Sequence, residues 1–110
     1  MTNLVKNLSK CENLVNLDLS DNYLPTESIE ELKNLLKNNK NLKSLKISDC
    51  NIAEEDSENF LDFVSNENLQ LEFLGYNYNE IESLENCVNS LQKLTKLKKL
   101  EIKGIFEDEE

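Results

Sequence analysis

Three thiols and a set of clustered carboxylates are the residues of this chain whose types could do chemistry. Cys11, Cys50 and Cys87 would ligate a soft metal if gathered, and one of them would be a nucleophile if its thiolate were stabilised. They lie about 38 residues apart, with no C-x-x-C pair and no histidine in 110 residues. A zinc site would therefore lack most of its usual ligands. An odd count fits reduced thiols in a cytosolic or nuclear compartment, where a buried cysteine packs as a small hydrophobe. Glu54 and Glu55 have the right groups for acid and base catalysis, but the sequence leaves them in the coil after a strand. There is no G-x-S-x-G, no glycine-rich phosphate loop and no H-E-x-x-H. No enzyme activity, metal or cofactor is expected.

Charge is the second chemical resource. Twelve lysines and no arginine stand against 22 acids, a net charge of −10. Free DNA is not an expected partner, because the whole surface would repel it, and RNA is expected only as part of an assembly. Apolar runs are too short to span a membrane, and no secretory leader is expected ahead of the first repeat. Lys33, Lys37, Lys40, Lys43 and Lys46 form one cluster, and Lys93, Lys96, Lys98, Lys99 and Lys103 another. Acids gather at Glu27, Glu30 and Glu31, at Glu54, Glu55, Asp56 and Glu58, at Glu80, Glu82 and Glu85, and from Glu107 to Glu110. The helix macrodipole favours this division, with acids at N-termini and bases at C-termini. The alternative is a lysine rim, Lys40, Lys43, Lys96 and Lys98, that docks on an acidic or phosphate surface.

What must position these residues is a repeat. "LVNLDLSDNYL" (14–24) returns 28 residues later as "LKSLKISDCNI" and 29 residues after that as "LEFLGYNYNEI". A damaged fourth copy, "LKKLEIKGIF", starts at Leu97 and ends near Phe106. Self-similarity at this period marks a solenoid. In each copy alternation turns two apolar residues inward, Leu17 and Leu19 in the first, while the residue between them faces away. Leu14 and Leu24 pack inward from the flanking bends. Asn22 stands where the chain leaves the strand, and its amide can bond backbone groups the turn leaves unpaired; Cys50 and Asn79 hold the same position. Four such strands stack as a parallel sheet.

The intervening segments are helical. Ile29, Leu32, Leu35 and Leu36 recur at three-and-four spacing, as do Phe60, Leu61, Phe63 and Val64, and Leu84, Cys87, Val88, Leu91 and Leu94. Thr26, Asp56 and Ser83 are the candidate N-caps. Leu4, Val5, Leu8 and Cys11 read as the last helix of an incomplete first coil over residues 1–13.

The outward strand positions then fall in three rows. Asn16, Ser44, Phe73 and Lys99 form the first; Asp18, Lys46, Gly75 and Glu101 the second; Ser20, Ser48, Asn77 and Lys103 the third. Phe73 is an aromatic on an otherwise small or polar surface, beside Gly75, and aromatics are favoured interface anchors. A one-residue shift, with Leu69, Leu71 and Phe73 inward, is the competing register, because "NLQLEFL" also alternates.

The pattern L-x-x-L-x-L-x-x-N/C-x-L, carried by residues 14–24, 42–52 and 71–81, resembles that of leucine-rich repeats. Alternate 28-residue steps with asparagine and 29-residue steps with cysteine, as at Asn22 and Cys50, resemble the ribonuclease-inhibitor-like class. That resemblance covers residues 5–106. It implies an α/β fold: a short leucine-rich-repeat horseshoe, or solenoid, with about four parallel strands on the concave face and helices on the convex face. The expected domain is 1–106, with repeats starting near 14, 42, 71 and 97 and an acidic tail at 107–110. "GIFEDEE" also resembles the acidic ending of the activating proteins of the GTPase Ran. The activity of that family is associated with an early arginine, and this chain has none. The resemblance thus implies at most a non-catalytic relative. The function expected overall is a cytoplasmic (or nuclear) scaffold that binds another protein or protein assembly. Its candidate contacts on the concave face are Asn16, Asp18, Ser44, Lys46, Phe73, Gly75, Asn77, Lys99 and Glu101. The lysine rim would instead suit a small factor held on a larger assembly such as a ribosome.

Overall fold

The chain alternates three-residue strands with helices. Strands β1 (Asn16–Asp18), β2 (Ser44–Lys46), β3 (Phe73–Gly75) and β4 (Lys99–Glu101) are separated by helices α1 (Thr26–Asn38), α2 (Glu54–Asn66) and α3 (Leu84–Leu91). The computed structural model describes residues 8, 11–67, 69–81 and 83–103. Leu4, Val5, Glu82, Gly104, Phe106 and the acidic tail fall outside these residues.

The strands form one parallel sheet in the order β1-β2-β3-β4. Backbone bonds continue the ladder past each strand: Leu19 N–H donates to Lys46 O at 2.8 Å, Ile47 N–H to Gly75 O at 2.9 Å and Tyr76 N–H to Glu101 O at 2.7 Å. The strands end where the backbone enters the left-handed region at Asp21, Asp49 and Tyr78, all at one repeat position. Aspartate tolerates that conformation better than tyrosine does.

Helix and sheet close on a continuous apolar core. Leu45, Ile47, Leu74 and Tyr76 have no exposed surface, and neither have Leu32, Leu35, Leu36, Phe60 and Val64 behind them. Phe60 stacks on Tyr76 with ring centroids 6.4 Å apart, and the Tyr76 hydroxyl donates to Ser57 Oγ at 2.8 Å. The expected core row is complete only in the middle. Leu17, Leu100 and Ile102 are half-buried, in or next to β1 and β4, which among the described residues pair with a strand on one side only. Leu84 and Val88, expected to face inward, are exposed: they lie on the side of α3 that no described helix covers.

Two expected caps are corrected. Pro25 and Ala53 precede the first residues of α1 and α2 without a side-chain cap bond. Thr26 Oγ1 instead donates to Asp56 Oδ2 at 2.8 Å, which ties the start of α1 to that of α2. Ser83 does cap α3, accepting from Asn86 N–H at 3.1 Å. Glu54 and Glu55, read from sequence as coil, are the first residues of α2, where negative charge suits the helix N-terminus.

Candidate functional site

Each coil is locked to the next by side chains at its turns. Asn79 Oδ1 accepts from the backbone N–H groups of Cys50 and Ile52 at 2.9 and 3.2 Å, while its Nδ2 donates to Ile47 O at 2.8 Å. Cys50 repeats the donor half one coil earlier, its Sγ lying 3.2 Å from Leu19 O. Among the described residues Asn22 bonds its own coil, Leu19 O at 3.1 Å and Ser20 O at 3.3 Å, and stays exposed. Burial raises the pKa of the Cys50 and Cys87 thiols above the usual thiol value. These two cysteines are free and packed in the core, and Cys11 is half-buried. Among the described residues no three histidine, cysteine or acidic side chains are arranged to hold a metal.

The third outward row serves the same structural purpose. Ser20 Oγ accepts from Ser48 N–H at 3.0 Å, Ser48 Oγ from Asn77 N–H at 2.8 Å, and Asn77 Oδ1 from Lys103 N–H at 2.9 Å. Asn77, a candidate contact from sequence, therefore spends its side-chain oxygen on the next coil. Sequence reasoning also missed Asn39, which is 2% exposed. Its Oδ1 accepts from Leu14 N–H and its Nδ2 donates to Cys11 O and Leu35 O, each at 2.8 Å. It joins the first coil to the end of α1. The available signal was an asparagine three residues before the first leucine of two repeats, at 39 and 68.

The first two rows make the open face of the sheet. The pairing Asn16–Ser44–Phe73–Lys99 and Asp18–Lys46–Gly75–Glu101 excludes the shifted register, since Leu74 takes the inward place beside Leu45. Phe73 is half-buried, with Lys46 Nζ 5.3 Å and Lys99 Nζ 5.6 Å from its ring centroid. At exposed sites each such cation–π contact contributes about 0.5–1 kcal/mol. The space beside Gly75 is smaller than its missing side chain suggests. A Cβ there would lie 3.5 Å from Lys46 Cγ and Ser48 Oγ and 3.6 Å from Phe73 Cε2, so the ring leans over the glycine. A shallow hollow of ≈ 360 Å³ opens beside this group, lined by Asn16, Leu17, Asp18, Ser44 and Lys46. Asp18 accepts from Ser20 N–H at 3.0 Å, and that bond, helped by the charge of Lys46, keeps its carboxyl below the usual pKa.

The lysine rim is less free. Lys40 pairs with Glu67 at 3.5 Å and Lys98 with Glu72 at 3.8 Å, while Lys43 and Lys96 make no ion pair among the described residues. Lys33 and Lys37 lie over the Phe63 ring, at 5.8 and 5.9 Å, covering the seam between α1 and α2. Between α2 and α3 the side chains Ser83, Asn86 and Ser90 are too small to fill the equivalent seam, leaving a groove of ≈ 490 Å³.

This geometry, short parallel strands backed by helices and stitched by asparagine and cysteine at the turns, is that of a short leucine-rich-repeat solenoid. The Leucine Rich Repeat family model matches residues 13–35 and 41–66. No curated protein matches the sequence. Among solved structures, the tropomodulin C-terminal domain of Caenorhabditis elegans superposes with a TM-score of 0.64 over 94% of the chain, at 14% identity. The chain spans 63% of the length of that domain. At this identity the likeness is one of fold.

Proposed function

We propose that this chain is a protein-binding module of the ribonuclease-inhibitor-like repeat class, acting inside the cell through the open face of its sheet. Leucine-rich-repeat domains generally mediate protein–protein interaction. The observation that supports the strand face is Phe73. It is a large apolar ring on a polar sheet, its burial is incomplete, and no requirement of the core accounts for it. An aromatic near the centre of a surface, ringed by polar groups, is the usual composition of an interface anchor. Asn16, Ser44, Lys46 and Lys99 supply the surrounding polar rim.

The rim of Lys40, Lys43, Lys96 and Lys98 is the weaker reading. Two of its four ammoniums already have carboxylates beside them. A photoreactive phenylalanine analogue at position 73 should crosslink a partner in native extract. The same analogue at exposed Asn59, on the helical side, should give no crosslink to that species. Crosslinking from 59 alone would refute the assignment of the face.

A further inference from the structure

We propose that the open face takes an acidic segment of a partner protein, one in which Asp or Glu flanks an apolar side chain. This deepens, and rests on, the reading of the strand face as the docking surface. The face differs in charge from the molecule around it. The chain as a whole is at −10, yet on the three outward rows Lys46, Lys99 and Lys103 outnumber Asp18 and Glu101. Asp18 accepts from Ser20 N–H, and Glu101 lies 3.6 Å from Lys99 Nζ in a solvent-exposed pair that holds both groups only weakly, so the excess positive charge of the face rests mainly on Lys46. Lys46 makes no ion pair among the described residues and stands over Phe73 instead.

Phe73 therefore lies between two exposed ammoniums contributed by the strands on either side of it. A partner side chain covering the ring would bring its neighbours within reach of both cations. Carboxylates there gain from charges already held in place by the ring. A lysine- or arginine-rich segment would meet the same two cations with repulsion. A nucleic-acid strand fits poorly, because its charge repeats along the backbone and would cross Asp18 and Glu101 as well.

The test selects binders from a random peptide library displayed on phage and remeasures the selected peptides by fluorescence anisotropy at low and moderate salt. Peptides with Asp or Glu within two positions of Phe, Leu, Tyr or Trp are expected. Their affinity should fall at least about tenfold with the double variant Lys46→Glu, Lys99→Glu, and should weaken with salt, since exposed charges are screened over about 10 Å at 0.1 M. Lys37→Glu, on the helical side away from both the strand face and the rim, should leave it unchanged. Circular dichroism checks that every variant is folded. Basic or uncharged binders, indifference to the double variant, displacement by a homopolymer RNA, or no binder at all would each overturn the proposal. Phe73→Ala separates the two levels. Peptides lost with Phe73→Ala but not with the lysine reversals sink only the charge preference. Peptides untouched by Phe73→Ala sink the strand-face reading itself.

Discussion

Asn79 holds Cys50 in place: its side-chain oxygen accepts the Cys50 backbone N–H at 2.9 Å across the gap between two coils. The same amide bonds Ile52 N–H and Ile47 O, so one side chain satisfies three buried backbone groups. Replacing it with alanine orphans all three, and an unsatisfied buried group costs about 1–3 kcal/mol. Asn79→Ala should therefore lose on the order of 3 kcal/mol in a urea denaturation series. Cys50→Ala, which removes one weak sulfur donor, should lose about 1 kcal/mol. Equal effects from the two would contradict the asymmetry of the contacts.

Alkaline pH should weaken the fold in two stages. Burial raises the pKa of Cys50 and Cys87 above their unfolded value, and it raises that of Tyr76 as well. A raised pKa means that the folded state keeps a proton which the unfolded chain has begun to release. The stabilisation is thus complete below the ordinary thiol value of 9.0 and declines as pH rises through it. A second decline starts above the ordinary tyrosine value of 10.0. Urea midpoints measured at rising pH should show both, and Cys50→Ala should flatten the first. A midpoint that climbs between these values would contradict the burial of the thiols.

Tyr78 is placed against its own preference. Its φ of 64° is left-handed, at the repeat position where Asp21 and Asp49 sit, and the residue is 48% exposed. Little packing is lost on shortening it. Tyr78→Asn should raise stability by about 0.5–1 kcal/mol, because asparagine adopts that backbone with less strain. A thermal melt that moves down instead would mean that the ring packs more than its exposure suggests.

The repeat was legible in the sequence because its leucine spacing follows directly from strand alternation and inward bends. Strand partners, the core positions and the asparagine and cysteine turns could be read from that spacing alone. The ends of the solenoid could not be read so well. Leu17, Leu100, Leu84 and Val88 have the residue types of a core but stand beside no further coil among the described residues, and composition does not report neighbours. Helix starts were misjudged at Thr26 and Asp56 because both side chains bond each other across coils, an interaction between distant residues that local cap rules ignore. The cation–π group at Phe73 needed the register. Its two lysines lie 27 and 26 residues away in sequence and meet only when β2, β3 and β4 align.

The strand face is tested most directly by measuring the affinity of a crosslink-identified partner for three proteins: the unaltered chain, Phe73→Ala, and the double variant Lys43→Glu, Lys98→Glu. Phe73→Ala should cost about 2 kcal/mol or more in binding, roughly thirtyfold in Kd, while stability in urea falls only by the about 1–2 kcal/mol of its two cation–π contacts and the protein stays folded. The rim variant should bind within about threefold of the unaltered chain, as expected where exposed ion pairs contribute little. The reverse order, with binding lost on charge reversal at the rim and retained without Phe73, would contradict the account.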